Sequence, residues 1–277
     1  VGIASVIPST YPREFIDRLA DSGIDTSGIV RMNHKKGFEG TIEYRDDGSR
    51  VLGAATGVFK FLQDYLPWLL SLAAGPYWEK VSPQAELVPE SYLDARGVFL
   101  ASMAYRNQAA CLERFHRRAG TVVIDPPPLM PWVKHGTVPV GLADLSLADY
   151  VLPSEQETCE YWGDGISPDE AAERYFGLGA SCVVLKMGEK GARVYERRTG
   201  SPREIPVFRT KAVDVTGAGD SFGGGFMVGI AETGDPVKAA CYGAVSASFV
   251  VEGFGADHTL KVSRQDAEER LAKIMNG

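Results

Sequence analysis

The chain has 277 residues and a formal net charge of −7 at pH 7, and 44% of its residues are hydrophobic. This length can bury a large core, so we expect one α/β domain with a small appendage. Because no basic residues are concentrated enough to follow a phosphate backbone, the composition argues against a nucleic-acid partner and favours a small molecule.

Neither the cysteines nor the histidines show metal-ligand spacing. The four cysteines are far apart and form no C-x-x-C pair, which argues against a zinc knuckle or a disulfide framework. The histidines form no cluster, and surface or loop positions are expected for His34, His116, His135 and His258. The first residues lack the features of a secretory signal, so a cytoplasmic location is expected.

Short apolar runs alternate with helical periods, which predicts βαβ units and a mostly parallel sheet. The expected strands are residues 2–6, 98–102, 121–124, 150–152 and 182–186. The expected helices are residues 12–21, 108–118, 155–162 and 169–176, followed by three that begin near Asp220, Pro236 and Arg264.

Two segments differ from this pattern. Residues 29–54 contain short strand candidates at 29–32, 40–44 and 50–52, with a hairpin turn at Asp46-Asp47-Gly48, and they predict a small β lid. Residues 58–73 are strongly apolar but short for a membrane span, and they contain Lys60, Asp64 and Pro67. We expect this second segment to pack against the core or another subunit, so a homodimer is one expected assembly.

The residues with the clearest chemistry run from Asp214 to Phe222, with the sequence Asp-Val-Thr-Gly-Ala-Gly-Asp-Ser-Phe. The amides of Gly217, Ala218 and Gly219 should gather at the N-terminus of a helix, which is an anion site. Asp220 should lie at this positive end, where it can accept a proton from a substrate hydroxyl. The pairing suits phosphoryl transfer, although a helix N-cap with glycines for close packing is the structural alternative.

These residues resemble the C-terminal motif of the ribokinase/PfkB family of carbohydrate and nucleoside kinases. The resemblance implies a ribokinase-like α/β fold with a β lid over the substrate. It also implies that Asp220 is the catalytic base and that the amides of residues 217–219 form the anion hole. Nearly the whole chain matches in order. The family's opening strand, substrate-binding acid and Gly-Gly pair have no match in this sequence, so the substrate-binding acid is not assigned.

The resemblance also implies a nucleotide site for ATP and Mg²⁺. Lys186, Gly188 and Gly191 lie in a strand-turn-strand that in the family is beside the nucleotide; a tight hairpin explains the glycines equally well. Ser154 and Glu157 have the spacing of a capping box, a complete structural explanation. They also occupy the place of the family's Asn-x-x-Glu motif, whose glutamate organises magnesium, with serine replacing asparagine.

Asp125 follows a predicted strand, at an edge where α/β sheets place ligands. Family members often continue with Asp-Pro-Asn-x-Arg, but Pro126, Pro127 and Pro128 follow here. No phosphate-binding arginine is therefore visible at this point, which slightly disfavours a sugar-phosphate substrate.

By resemblance, a monovalent cation, most simply K⁺, is expected beside the anion hole. The expected ligands are Asp214 and carbonyl or hydroxyl oxygens of Thr216, Val250, Gly253, Gly255 and Thr259. Asp214 could instead be an ordinary turn acid, since aspartate often forms Asx turns in loops.

The favoured function is an ATP-dependent kinase of a small sugar-like alcohol. A nucleoside kinase of the same family is the nearest alternative, with Tyr11, Phe38 and Tyr105 as candidate walls of a purine pocket. A catalytically idle sugar- or nucleotide-binding protein is an alternative from another class. A Rossmann dehydrogenase is weaker, because the glycine run at 177–182 lacks a third glycine and enters a strand.

Overall fold

A computed structural model of the chain describes residues 1–33, 42–44, 50–52, 75–129, 133–134, 136–139, 142–198 and 200–276. The apolar segment 58–73, the Asp46-Asp47-Gly48 turn, Phe38, His34 and His135 lie outside these ranges, so the expectations for them stay predictions.

The strands are β1 (Gly2–Pro8), β2 (Asp25–Met32), β3 (Ile42–Tyr44), β4 (Arg50–Leu52), β5 (Val98–Leu100), β6 (Val122–Ile124), β7 (Tyr150–Val151), β8 (Cys182–Lys186), β9 (Ala192–Glu196) and β10 (Arg203–Ile205). The helices are α1 (Arg13–Asp21), α2 (Glu90–Leu93), α3 (Tyr105–Phe115), α4 (Glu155–Trp162), α5 (Pro168–Gly177), α6 (Ala218–Thr233), α7 (Pro236–Val250) and α8 (Arg264–Asn276). Residues 75–81 are also helical.

Among the described residues, six strands form the central sheet, in the order β10-β9-β8-β7-β6-β5. Strands β5 to β8 are parallel, and β9 and β10 are added antiparallel at one edge. The short apolar runs of the sequence become these buried strands, as expected for a parallel sheet covered on both faces. The α/β prediction with a mostly parallel sheet is confirmed.

Side chains of the buried strands alternate between two cores. Val122 and Ile124 of β6 pack on one face with helices α3 and α5, while Val123 packs on the other face with α6, α7 and α8. This alternation follows from the two-residue period of a strand. Helix α6, which starts within the Gly217–Asp220 motif, therefore packs against the second face of the sheet.

The structure differs from the sequence prediction at β1 and β2. Residues 29–32 were expected to be a lid strand; instead they complete the eight-residue β2, which pairs in parallel with β1. Among the described residues, β1 and β2 form a two-stranded sheet of their own. The later pair, β3 and β4, is antiparallel with Ile42 opposite Leu52.

Helix α3 is also displaced from its expected bounds: it begins at Tyr105 and ends at Phe115 instead of covering 108–118. Tertiary contacts explain the shift. The Asn107 side chain donates to the carbonyls of Glu79 and Pro83, and the Arg118 guanidinium is drawn to the carboxylate of Asp94. These contacts of Asn107 and Arg118 cannot be deduced from the local hydrophobic period of the sequence.

Candidate active site

Helix α6 begins immediately after a left-handed glycine. Gly217 has φ 81°, and α6 starts at Ala218 without a capping side chain among the described residues. The Ala218 amide donates to the Val215 carbonyl at 3.2 Å, within the turn that leads into the helix. Asp220 lies in the first turn and is exposed. This arrangement has the geometry expected of an anion site with a carboxylate at its edge.

The carboxyl ends of the parallel strands bring further charged residues to the same place. Lys186 ends β8, and its amide donates to the carbonyl of Pro153, just after β7, at 2.8 Å. A Cβ atom added to Gly219 would lie 3.3 Å from the Nζ atom of Lys186. The ammonium therefore lies directly beside the first turn of α6.

Asp125 supplies the partner of Lys186. Its Oδ2 atom lies 2.5 Å from Nζ, and the two side chains are only 6% and 11% exposed. Burial raises the pKa of Asp125, opposed by Lys186 and reinforced by the charges of Glu157 and Asp220. Burial lowers the pKa of Lys186, but the three carboxylates outweigh it and raise the pKa overall.

The capping box predicted before α4 is present. The Glu157 amide donates to the Ser154 hydroxyl at 3.2 Å, and the Ser154 amide donates to Oε2 of Glu157 at 2.7 Å. Glu157 is nevertheless buried and acts electrostatically on both Asp125 and Lys186. The cap thus places a carboxylate at the site as well as starting a helix.

The turn after β8 has the two glycines that its geometry needs. Gly188 has φ 58° and Gly191 has φ 90°, and a Cβ atom on Gly191 would lie 2.1 Å from the carbonyl oxygen of Ile205. The Gly191 carbonyl accepts a hydrogen bond from the Met187 amide at 2.8 Å. The hairpin explanation is therefore sufficient for both glycines, and it keeps the turn close to Lys186.

The residues expected to hold a monovalent cation fall on two loops that contact each other. Asp214 accepts a hydrogen bond from the Thr216 amide at 2.9 Å, which lowers the pKa of its carboxyl. The amides of Val213 and Asp214 donate to the carbonyl of Val251 at 2.7 and 3.2 Å. Asp214 is thus a turn acid, and its loop is joined to the end of α7.

The remaining cation candidates surround that end of α7. Val250 is its last residue, Gly253 packs against the His258 ring, and Gly255 has φ 69°. The Thr259 hydroxyl donates to the carbonyl of Ala256 at 2.7 Å. Among the described residues, no group of three or more His, Cys, Asp or Glu side chains is arranged to hold a metal.

Two candidate walls of a purine pocket make contacts within the chain. Tyr105 is buried, its hydroxyl donates to the Pro128 carbonyl at 2.8 Å, and its ring packs edge-on against Trp78. Tyr11 packs against Phe15 at the start of α1.

In the part of the chain that the structure describes, no helix has the length and hydropathy needed to cross a membrane.

Sequence reasoning missed the Asp125–Lys186 pair. The available signal was that both residues end parallel strands of one sheet, β6 and β8, so both side chains lie at the same edge. The sequence did not show that their side chains would meet across the short strand β7 that separates them.

Comparisons with known proteins identify relatives of this chain. The model of the pfkB family carbohydrate kinases matches residues 72–262. A cytidine kinase from Thermococcus kodakarensis is 30% identical over 232 residues, which cover 83% of this chain and 73% of that protein. A ribokinase from Haemophilus influenzae is 30% identical over 128 residues, covering 45% of this chain but only 41% of its own length.

Solved structures share the fold. A ribokinase from Thermotoga maritima superposes with a TM-score of 0.68 at 23% identity, covering 98% of this chain and 81% of that one. A nucleoside kinase from Burkholderia thailandensis in complex with inosine gives 0.67 at 16% identity, with coverages of 99% and 80%. A putative ribokinase II from E. coli, in complex with ATP and Mg²⁺, gives 0.64 at 18% identity, with coverages of 98% and 83%.

ATP and Mg²⁺ thus fit kinases with this fold, and the substrates of the relatives include both sugars and nucleosides. The family match covers more than half of the chain and includes the strands and the helix that form the site described above. The chain is a member of the pfkB family of carbohydrate kinases.

Proposed function

We propose that this protein transfers the terminal phosphoryl group of ATP to a hydroxyl group of a small sugar-like acceptor. The observation that carries the proposal is the first turn of α6, where Gly217, Asp220 and the ammonium beside Gly219 come together. Donors that stabilise a transferring phosphoryl group and a carboxylate that accepts the acceptor's proton are the two requirements of this reaction.

In this mechanism Asp220 accepts the proton of the acceptor hydroxyl while that oxygen forms a bond to the γ-phosphorus. The bond between the γ-phosphorus and the β–γ bridging oxygen breaks, and ADP leaves. The amides of Gly217, Ala218 and Gly219 stabilise the negative charge on the transferring group. Glu157 fits an ion that arrives with the nucleotide, since Mg²⁺ is commonly held by one or two carboxylates plus substrate phosphates. Such an ion would neutralise part of the phosphate charge.

A nucleoside acceptor is a second candidate, because the cytidine kinase relative is matched over 232 residues. The antiparallel pair β3 and β4 is proposed as part of a lid over either acceptor, which would exclude water from the reaction. Sugars and nucleosides are therefore tested side by side with ATP as the donor.

The test replaces Asp220 by Asn and measures ADP formation across that panel. We expect the variant to bind MgADP normally and to lose turnover by about 100-fold to 10,000-fold, the usual contribution of a general base. The matched control is Glu113→Gln, an exposed residue of α3 on the other face of the sheet. Near wild-type turnover of Asp220→Asn would remove the base assignment. Nucleotide binding without turnover on any acceptor would favour the idle binding protein.

We also propose that K⁺ binds beside the anion hole, with Asp214, Thr216, Val250, Gly253, Gly255 and Thr259 as ligand residues. The support is that the loop of Asp214 leads directly into Gly217 and is joined to Val251. An ion there would fix the direction of the anion-hole amides, so it should affect turnover more than nucleotide affinity.

The test compares turnover in potassium and in tetramethylammonium at equal ionic strength. We expect a higher rate in potassium, and we expect Asp214→Ala to abolish the difference. Asp144→Ala is the control, because Asp144 makes the same kind of turn with the Ser146 amide at 3.0 Å but outside the site. A wild-type rate that does not depend on the cation would leave Asp214 as a turn acid only.

A further inference from the structure

The Asp125 end of the Asp125–Lys186 pair is anchored in the interior by hydrogen bonds of its backbone. The Asp125 amide donates to the Leu100 carbonyl at 2.9 Å, and the Asp125 carbonyl accepts from Nε2 of Gln108 at 2.7 Å. Gln108 is itself completely buried. The backbone of Asp125 is thus fixed from both sides, which sets the point from which its carboxylate reaches Lys186.

The pair is poorly arranged as a device for stability. Oδ2 of Asp125 contacts the ammonium, but the buried Oδ1 atom has no hydrogen-bond partner among the residues that the structure describes. A buried ion pair seldom contributes net stability, because desolvation offsets the attraction, and an unsatisfied buried acceptor adds a further penalty. Its location at the carboxyl ends of the parallel strands indicates a role at the site instead.

The Lys186 ammonium lies at the N-terminus of α6, the site proposed above for the transferring phosphoryl group. It lies beside Gly219, within electrostatic reach of Asp125, Glu157 and Asp220. A methyl group at position 219 would be 3.3 Å from Nζ, so the ammonium would have to shift by a few tenths of an ångström to accommodate it. Glycine at this position therefore leaves the space that Lys186 occupies.

We propose that Asp125 is a positioning residue that holds the Lys186 ammonium beside the amides of residues 217–219, where it binds the terminal phosphoryl group of the nucleotide. The inference rests on the proposed function in that it takes a nucleoside triphosphate as the ligand. Asp125 touches no reacting atom; it acts through Lys186, which adds a charged donor to the amides of the helix N-terminus.

The test measures the affinities of MgADP and of a magnesium complex of the non-hydrolysable β,γ-imido analogue of ATP, by calorimetry. In Lys186→Met and Asp125→Asn, we expect the affinity for the analogue to fall by about 10-fold to 100-fold, as for loss of a hydrogen bond to a charged group. The affinity for MgADP should change by less than about threefold, since the terminal phosphoryl group is absent. Equal losses for both ligands, or no loss for the analogue, would overturn the proposal.

The pH dependence separates positioning from a purely structural role. In the wild type Asp125 helps to raise the pKa of Lys186, while burial lowers it. Asp125→Asn removes that carboxylate charge, so the pKa of Lys186 falls and the ammonium loses its proton at a lower pH. The affinity of Asp125→Asn for the analogue should therefore decline at a lower pH than that of the wild type. Superimposable pH profiles of the two proteins would contradict the proposal.

A second pair of variants avoids the buried ion pair, in case its substitution prevents folding. Gly219→Ala should move the ammonium and weaken analogue binding relative to MgADP. Gly224→Ala is the control, because it lies in the same helix and a Cβ atom there meets nothing within 4 Å. If the wild type binds the analogue but phosphorylates no acceptor, the proposed function fails while the ratio of the two affinities still decides this inference.

Discussion

At the scale of single residues, Ser154 and Glu157 show how one local motif can serve two purposes. Their reciprocal hydrogen bonds start α4, and the sequence spacing alone predicted them. The same bonds hold the Glu157 carboxylate near Lys186 and Asp125, which local spacing could not predict. A variant that keeps the cap but removes the charge can separate these two roles.

Glu157→Gln is such a variant, because an amide oxygen can still accept the bond from the Ser154 amide. We expect the free energy of unfolding to change by less than about 1 kcal/mol, within the range of a helix cap. We expect the Mg²⁺ concentration at half-maximal turnover to rise by about 10-fold to 100-fold, as when a residue that orients a metal's ligands is removed. Magnesium titrations of activity and thermal unfolding measure the two quantities.

Glu170→Gln provides the matched control for this experiment. Glu170 forms the same capping box with Ser167 at the start of α5, with a 3.0 Å bond from the Ser167 amide, but it is exposed and outside the site. It should leave the magnesium dependence unchanged. An equal magnesium effect in both variants would assign Glu157 to the cap alone.

At the scale of elements, α6 and α7 are held together by glycines. A Cβ atom on Gly225 would lie 2.6 Å from the Tyr242 carbonyl oxygen and 2.7 Å from the Ser246 Cβ atom. A Cβ atom on Gly229 would lie 2.6 Å from the Ala239 Cα atom. The close approach positions the start of α6, since the Ser221 and Ser246 hydroxyls then meet at 2.9 Å.

Gly225→Ala tests this packing. Although alanine favours a helix by about 1 kcal/mol, the added methyl group meets backbone that cannot move aside, and overpacking typically costs about 1–3 kcal/mol. We expect a net loss of stability in chemical denaturation. Gly224→Ala, one position earlier and facing open space, should instead gain about 0.5–1 kcal/mol. A gain in both variants would show that the helices are not constrained at Gly225.

The helix bounds show which elements the sequence could define. Helices α4 and α5 have polar caps at Ser154 and Ser167, and their bounds were predicted to within one residue. Helix α3 follows Ala104, which offers no side-chain cap, and the prediction was displaced by three residues. At α3, where no side chain caps the start, tertiary contacts decide the boundary.

At the scale of the whole molecule, the chain carries a net negative charge, whereas the site combines carboxylates with an ammonium group. The acidic composition favoured a small-molecule partner, and membership of the pfkB family of carbohydrate kinases agrees with such a partner. Within the described part of the site, three carboxylates act electrostatically on the Lys186 ammonium. A bound cation would reduce the repulsion between these carboxylates and the phosphates of a nucleotide, which supports the proposal of a magnesium complex as the ligand.

The sequence by itself determined the α/β class, the buried strands and the glycine turn that leads into α6. These features depend on local period, on glycine conformation and on caps, all of which are contained in short segments. The tertiary structure decided that β2 continues past residue 29 as a partner of β1, and that Asp125 meets Lys186 across β7. Strand pairing and buried charge contacts join residues far apart in the chain, so no local pattern could specify them.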